Sequence, residues 1–332
     1  MEQRATPSDT IAPVRELPKR MHAVAIDRFG GPEVLVYREL LTPRPGADDV
    51  LIALHTAGVG GWDAWHRAGG DAPARPRFPL ILGADGAGSI AACGAKVRRF
   101  HEGDEVIAYD YERRGFYAEY VVVAADHVGR RPAVLGLGDA GAIPCIGLTA
   151  LQGIDDALHI KQGESVVVHG ASGGVGHLAV QFAKLRGARV LASASGEDGA
   201  TLARRLGADE SIDGKRVDVA AAAQRFAPEG IDAVIALIGG DALQRLMSAV
   251  RDNGRVTHPN GVEPVPRATR GIEIAAYDAI AGVREFERLD RAVDEAKLKV
   301  HIGAEFPLAE AARAHQRLAA GHLLGKMVLR VA

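Results

Sequence analysis

A glycine-rich segment carries the clearest chemical signal in the sequence. It follows an apolar run at residues 165–169 and precedes residues 174–185, whose apolar side chains recur at helical spacing. Glycines at such a turn let the backbone approach a diphosphate, and the free N–H groups of a helix start offer it partial positive charge. We therefore predict a dinucleotide-binding loop formed by Gly170, Ala171, Ser172, Gly173, Gly174 and Val175. The spacing is GxxGxxG rather than GxGxxG, so a tight turn without a ligand stays open as the alternative.

The residues after the next predicted strand bear on the choice between NAD and NADP. An acidic residue about 20 positions past the first glycine normally binds the ribose 2′-hydroxyl, and none stands there. Ser193 and Ser195 leave room for a 2′-phosphate, and Arg204 or Arg205 could supply positive charge one helical turn away. The acidic Glu197–Asp198 pair argues the other way. Together these residues favour NADP(H), with NAD(H) as the alternative.

The elements around this loop predict an α/β protein with two kinds of architecture. Residues 21–139 contain short β-branched runs separated by turn formers, a pattern typical of a small barrel or sandwich. From residue 140 onward strands alternate with amphipathic helices, which predicts a parallel sheet with right-handed crossovers. Its predicted strands are Ser165–His169, Arg189–Ala194, Asp232–Leu237, Gly254–Thr257 and Ile272–Ala276. Helices are predicted after the first strand, at Thr201–Leu206, and after Gly282, and the terminal strand at 327–331 is expected to return to the first domain.

Composition and charge narrow the class of partner. The chain has 332 residues, with 40 Lys and Arg against 42 Asp and Glu, so it lacks the positive surplus that nucleic acid binding needs. Its two cysteines lie far apart, which predicts reduced thiols in a cytoplasmic protein. The longest uncharged stretch, residues 140–154, is too short and too broken by glycine and proline to span a membrane. We expect a small-molecule substrate, no nucleic acid and no membrane.

Longer motifs along the chain carry a family resemblance. They include MHAVAIDRFGGPEVL, FPLILGADGAGSI, FHEGDEVIAY, GFYAEYVVV, AIPCIGLTAL and GHLLGKMVLRV. On these motifs the sequence resembles the zinc-independent quinone oxidoreductase-like group of the medium-chain dehydrogenase/reductase superfamily. The resemblance implies a GroES-like β-barrel catalytic domain, a Rossmann NADP(H)-binding domain with a doubly wound parallel sheet, and an active site in the cleft between them. It divides the chain into a polar N-terminal extension at 1–20, a catalytic domain at 21–139 and 283–332, and a nucleotide-binding domain at 140–282.

The resemblance also bears on metal binding and on the substrate. Zinc-dependent members of the superfamily carry a Cys in the segment corresponding to residues 60–63 and a His-Glu pair corresponding to Ala84-Asp85, and this chain has neither. We therefore expect no metal. Without a Lewis acid, quinones and α,β-unsaturated carbonyl compounds are the favoured substrates, because hydride addition leaves a delocalised phenolate or enolate.

Further cofactor contacts are implied residue by residue. Thr149 matches a position near the nicotinamide or its ribose, and Gly239 and His258 match strand ends that border the nicotinamide half. Lys326 matches a C-terminal lysine close to the cleft. The glycine loop, Ser193 and Ser195 match the diphosphate and ribose positions already inferred from the residues themselves.

The proton donor is the least determined residue of the predicted site. The sequence has Gly60 where many relatives carry Asn, and Trp65 where some carry Tyr, so two polar contacts of the group are absent. For each remaining candidate a structural or solvent-facing role is favoured over proton donation, and water could be the donor. The candidates are Tyr109, Tyr111, His66 and Asp63.

Three functions follow from these observations. The leading prediction is an NADPH-dependent, metal-free reductase of quinones or conjugated carbonyls. The loss of the Asn and Tyr contacts leaves open an NADPH-binding, redox-sensing protein with little turnover. A biosynthetic reductase that tailors or cyclises a reactive enone or polyene would share the leading mechanism. By analogy with the group we also expect a homodimer that pairs the edge strand near residues 271–276.

Overall fold

The computed structural model describes residues 17–70, 72, 75–267 and 271–331. Residues 1–16 of the predicted extension lie outside this range. The strands are β1 Arg20–Ile26, β2 Val36–Leu41, β3 Asp49–Val59, β4 Leu80–Ile81, β5 Asp85–Cys93, β6 Glu105–Tyr109, β7 Tyr120–Ala124, β8 Val128–Arg130, β9 Ser165–His169, β10 Arg189–Ala194, β11 Glu210–Asp213, β12 Ile231–Ala236, β13 Val250–Pro259, β14 Glu273–Tyr277, β15 Ile302–Pro307 and β16 Lys326–Arg330. The α-helices are α1 Gly61–Arg67, α2 Leu137–Ala140, α3 Pro144–Gln152, α4 Gly174–Leu185, α5 Gly196–Arg205, α6 Val219–Phe226, α7 Asp241–Leu246, α8 Val283–Ala296 and α9 Ala311–Ala319.

Six of the strands form the predicted parallel sheet, in the order β11-β10-β9-β12-β13-β14. This is the doubly wound order of dinucleotide-binding folds, and the order reverses between β9 and β12, where such folds bind ligands. The five predicted strands are confirmed within a few residues at each end. The sequence analysis missed β11, because this four-residue edge strand is polar and only partly buried, so it lacks the apolar run that marks its neighbours.

The helices after the first two strands of this sheet confirm one prediction and correct another. α4 covers the predicted apolar repeat, and Gly187 beyond its end has a φ of +75°, as a helix-ending glycine does. α5 begins at Gly196, five residues before the predicted start at Thr201. Gly199 lies inside this helix, although glycine disfavours helix interiors. A Cβ at Gly199 would lie 2.9 Å from Ser172 Oγ, so the close approach of this helix to the glycine loop requires glycine there.

The other strands form mainly antiparallel sheets. A seven-stranded sheet has the order β15-β16-β3-β5-β6-β8, with β7 also pairing with β3, and β2-β1-β4 forms a smaller sheet. β16 pairs antiparallel with β3, which returns the carboxyl-terminal strand to the first part of the chain as predicted. β5 was missed because it is built from Gly, Ala and Ser, residues of low strand propensity. A Cβ at Gly88 would collide with the Ala53 carbonyl oxygen, so these small residues allow β3 and β5 to pack closely.

One apolar core continues across the two parts. It runs from Ala84 and Ile107 of the antiparallel part, through α3, into β9 and α4 of the parallel part. Phe286 of α8 belongs to this core, and its ring lies against the backbone of Gly129 in β8. α8 therefore packs on both parts, and the division of the chain at residue 282 stays a prediction. Within the described residues, no helix has the length and apolar character needed to cross a bilayer.

We predict that Phe286→Ala lowers the free energy of unfolding by about 3–5 kcal/mol, because it empties a fully packed site at this junction. Urea unfolding of the purified variant measures the change. Glu287→Ala, on the exposed side of the same helix, is the matched control and is expected to change stability by no more than ~0.5 kcal/mol. Equal losses in both variants would contradict the assignment of this core.

Candidate active site

The glycine-rich loop lies at the carboxyl edge of the parallel sheet, between β9 and α4. Gly170 has a φ of +94°, a conformation that glycine adopts without strain. A Cβ at Gly176 would collide with the Gly170 carbonyl oxygen, so only glycine lets the helix pack this closely on the strand. These two glycines determine the path of the loop.

The same loop presents bare backbone to open space. A Cβ at Gly173 would have no atom nearer than 3.6 Å, and one at Gly174 none nearer than 3.5 Å. The N–H groups of Val175 and Gly176 lie in the first turn of α4, so they have no acceptor within the helix. An open backbone cradle with free donors at a helix start fits the diphosphate of a dinucleotide.

The predicted ribose serines lie beside this cradle. Ser193 is buried with its hydroxyl 3.3 Å from Nδ1 of His169, and the N–H of Ser195 faces Ser172 Oγ at 3.4 Å. Burial lowers the pKa of His169 to about 4, so its ring is neutral at neutral pH. The structure therefore brings both serines next to the glycine loop.

The two arginines predicted to serve the ribose do not reach it. Arg204 and Arg205 end α5, whereas Ser195 precedes its first residue, and a rise of 1.5 Å per residue separates them by roughly 14–15 Å along the helix axis. The expectation of positive charge one turn away is therefore wrong, because the helix starts earlier than predicted. The Asp198 carboxylate lies in the first turn of α5, 2.9 Å from Nε2 of His322.

The segment before β16 crosses the glycine loop. The N–H of Gly325 donates to the carbonyl oxygen of Ser172 at 2.8 Å, and Gly325 also bridges to Gly173. Because Lys326 follows directly, its side chain starts one residue from the loop. The predicted lysine is thus next to the candidate cofactor site.

The Lys326 side chain is buried in a small charged cluster. Its ammonium lies 3.9 Å from Oδ1 of Asp85 and 4.5 Å from the centre of the Trp62 ring. Both charged side chains are almost completely buried. Burial raises the pKa of the Asp85 carboxyl, and the lysine charge acts against this rise.

A tyrosine and a cysteine lie on the other side of Asp85. Oδ2 of Asp85 accepts the N–H of Cys145 at 3.2 Å, and the Cys145 thiol hydrogen-bonds with the hydroxyl of Tyr109. Thr149 donates its hydroxyl to the Cys145 carbonyl oxygen at 2.8 Å, which holds this turn of α3 in place. Burial raises the pKa of Cys145 to about 12 and that of Tyr109 well above its usual range, so both stay protonated at neutral pH.

Asp63, a predicted proton donor, has structural partners. Its Oδ2 accepts the N–H of Gly60 at 2.8 Å, and its carboxyl hydrogen-bonds with Tyr117. The Tyr117 hydroxyl lies 3.0 Å from Nε2 of His315, whose Nδ1 lies 2.6 Å from Arg67. Because arginine can only donate, Nδ1 accepts, and a neutral His315 then donates from Nε2 to Tyr117. Burial is the main cause that raises the pKa of Asp63 to about 7.

The remaining predicted residues lie in two places. His66 is buried on α1, with its ring centre 5.0 Å from that of Tyr111 and 5.2 Å from that of Trp65. Gly239 follows β12 and His258 lies in β13, so both are at the carboxyl edge of the sheet. His258 is buried with Nδ1 3.1 Å from the Pro259 carbonyl oxygen. Gly239 and His258 therefore share the edge of the sheet with the glycine loop, whereas His66 and Asp63 lie together on α1.

Comparison with known proteins decides the family. The family model of the alcohol dehydrogenase GroES-like domain matches residues 46–133, and that of the zinc-binding dehydrogenase matches residues 206–329. The quinone oxidoreductase of Mus musculus is 32% identical over 330 residues, covering 94% of this chain and 98% of the mouse protein. The chain belongs to the quinone oxidoreductase family of the medium-chain dehydrogenase/reductase superfamily.

Solved structures resemble this family member over nearly its whole length. A structure of an NAD-dependent alcohol dehydrogenase has a TM-score of 0.87 and 33% identity, covering 94% of this chain and 100% of that one. A mycobacterial protein complexed with NADPH has a TM-score of 0.83 and 26% identity, with the same coverage. The predicted fold, a GroES-like barrel with a Rossmann parallel sheet, is confirmed.

The zinc in the name of the family model has no evident ligand set here. Among the residues that the structure describes, no three His, Cys, Asp or Glu side chains cluster as a metal site. Cys145 and Asp85 are neighbours, but the cation beside Asp85 is the ammonium of Lys326. These residues do not fit a zinc ion, and the absence of metal from this quinone oxidoreductase homologue stays a prediction.

Sequence reasoning missed several residues of the site. Asp85 entered only as a position where zinc-dependent members carry Glu, and Cys145 was predicted only to be a reduced thiol. Tyr117, His315 and Arg67 are distant in sequence, and no local pattern links them. A carboxylate in the glycine-rich strand β5 was the one available signal, because charged residues are rarely buried without a partner.

We predict that Asp63→Asn changes the pH dependence of stability. The folded pKa of about 7 lies above the ordinary 3.8, so this carboxyl favours folding most at low pH and loses that contribution as pH rises through 7. The wild-type free energy of unfolding should therefore fall relative to the variant between about pH 4 and 8, by at most roughly 4 kcal/mol.

Denaturant unfolding at several pH values measures this difference. Asp126→Asn, at an exposed position, is the control and should give a pH-independent offset. A pH-independent offset for Asp63→Asn as well would contradict the burial of an ionisable group at this position.

Proposed function

We propose that this protein is an NADPH-dependent reductase of quinones and α,β-unsaturated carbonyl compounds that works without a bound metal. One observation carries the proposal: an open diphosphate cradle at the switch point of the sheet lies next to a buried ammonium and a neutral tyrosine. The quinone oxidoreductase relatives support the substrate class.

The residues of the candidate site fall into two groups, those that would bind the cofactor and those that would face the substrate. Gly173, Gly174 and the first-turn amides of α4 would hold the diphosphate, with Ser193 and Ser195 at the ribose. When bound, the reduced nicotinamide supplies a hydride. Thr149 borders this region through its bond to the Cys145 turn. The apolar core shared by the two parts packs behind these residues and would exclude water from that side of the site.

The preference for NADPH rests on two supports. The mycobacterial relative is complexed with NADPH, and no acidic residue occupies the end of β10, where a carboxylate would bind the ribose 2′-hydroxyl. The relative described as NAD-dependent makes NADH the necessary comparison in any assay.

The protonation states suit an electrophilic substrate. Tyr109 remains an O–H donor at neutral pH and can hydrogen-bond to a carbonyl oxygen as charge develops on it. Cys145 remains a thiol, which attacks conjugated carbonyls far more slowly than a thiolate does. The site can therefore polarise such a substrate without being alkylated by it.

A turnover assay tests the function. We expect the purified protein to oxidise NADPH, followed by the loss of reduced-nicotinamide absorbance, with members of a panel of quinones and enones. The rate should persist after dialysis against a chelator and should exceed the rate with NADH. NADPH binding without turnover across the panel would favour the redox-sensing alternative, and loss of activity on chelation would overturn the metal-free proposal.

We predict that Gly173→Ala weakens NADPH binding by about tenfold or more, because its methyl group would enter the open cradle. The φ of −81° suits alanine, so stability should change by no more than about 1 kcal/mol. Gly138→Ala, where a Cβ meets nothing within 4 Å, is the matched control and should leave binding unchanged. Calorimetric titration with NADPH measures both, and equal affinities would remove the loop from the cofactor site.

The proposed homodimer and cytoplasmic location remain predictions. β14 is the edge strand of the parallel sheet, as the dimer prediction requires.

A further inference from the structure

The buried cluster around Lys326 contains polar atoms without partners. Among the described residues, neither the Lys326 ammonium nor Oδ1 of Asp85 has a hydrogen-bond partner. Their separation of 3.9 Å is an ion-pair distance but not a hydrogen bond. Lys326 is 3% exposed and Asp85 is fully buried. A lysine ammonium has three N–H donors, and burying all of them unused is unfavourable.

The surroundings of the ammonium explain how it is held. The Trp62 ring attracts it through the ring face and uses none of its N–H groups. Asp85 supplies the compensating charge, and its other oxygen is occupied by the Cys145 N–H. The cluster therefore keeps a cation in place while none of its N–H donors is used within the described part of the chain.

The position of the cluster relates it to the proposed reaction. Gly325 binds the glycine loop, so the lysine starts beside the diphosphate cradle. Its ammonium lies 3.9 Å from Asp85, whose partner Cys145 contacts Tyr109. Lys326 and Tyr109 therefore belong to one cluster through Asp85 and Cys145, and the backbone of that cluster adjoins the candidate cofactor cradle at Gly325.

We propose that Lys326 is a catalytic residue that donates a hydrogen bond to the carbonyl oxygen of the substrate, with Asp85 and Trp62 as positioning residues. This inference rests on the proposed function and replaces the predicted role of Lys326 in cofactor binding. Hydride addition forms a C–H bond at the electron-poor carbon and moves an electron pair onto the carbonyl oxygen. The ammonium stabilises the resulting oxyanion, the reduced cofactor is oxidised by two electrons, and water supplies the proton that completes the product.

The first test uses 4-nitrophenol, a phenol whose ionisation is visible in its absorbance, with the cofactor-free protein. The wild type should lower the pKa of the bound phenol by about one unit or more, because the ammonium favours the phenolate. Lys326→Met keeps the length of the side chain and its contact with Trp62 but removes the charge, so the shift should disappear. Absence of a shift with the wild type, or its persistence in the variant, would overturn the proposal.

The second test separates substrate from cofactor. In Lys326→Met, kcat/KM for a quinone should fall about 100-fold or more, whereas the Kd for NADPH should stay within about threefold of the wild-type value. A loss of NADPH affinity as large as the loss in kcat/KM would assign the lysine to the cofactor instead. Lys326→Arg should retain part of the phenolate shift, because it retains the charge.

Removing one charge of a buried pair can prevent folding. The double variant Asp85→Asn/Lys326→Met removes both charges together and carries the same expectations, so it replaces the single variant if that one does not fold. A wild-type protein that shifts nitrophenol but reduces no quinone or enone with NADPH would contradict the proposed function and leave the oxyanion site supported. Full quinone turnover by the double variant would contradict the proposed role of Lys326 and would leave the proposed function supported.

Discussion

The backbone contact between Gly325 and the glycine loop is the interaction on which the candidate site depends. Through β16 and β3, the carboxyl-terminal segment belongs to the antiparallel sheet, yet its Gly325 donates to Ser172 in the parallel part. A backbone hydrogen bond between the two parts fixes the lysine side chain that follows within a few ångströms of the cradle. The apolar core shared through α3 and α8 keeps the two parts from separating at this point.

Burial of charge is the second constraint, and it explains the polar network behind the site. Asp85, Lys326 and Asp63 are all buried, and desolvation disfavours the charged form of each carboxyl. The chain compensates with backbone N–H donors, an aromatic ring face and the path from Arg67 through His315 and Tyr117. That path holds α1 against the barrel, and α1 carries Trp62. Asp63, which was a predicted proton donor, therefore helps to position the Trp62 ring that contacts the Lys326 ammonium.

Much of the fold was predictable because its signals are local. The apolar strand, the glycine loop and the amphipathic α4 are consecutive, and each follows from spacing alone. β5, β11 and the start of α5 were not predictable in this way, because small or polar residues there contradict local propensity. Close packing against β3 and Ser172 makes those glycines necessary, and neither neighbour is adjacent in sequence.

The candidate cofactor loop, the family resemblance and the missing zinc-ligand motifs can all be inferred from the sequence, because they depend on residue types at short, continuous spacing. Which charges meet depends instead on the folded chain. Asp85 and Lys326 are far apart in the chain and come together because β5 and β16 both pair with β3. Arg204 and Arg205 show the opposite case: they are close to Ser195 in sequence, but α5 carries them along its axis away from it. Electrostatic contacts depend on distance in space, and sequence separation does not report that distance when strands far apart in the chain are paired.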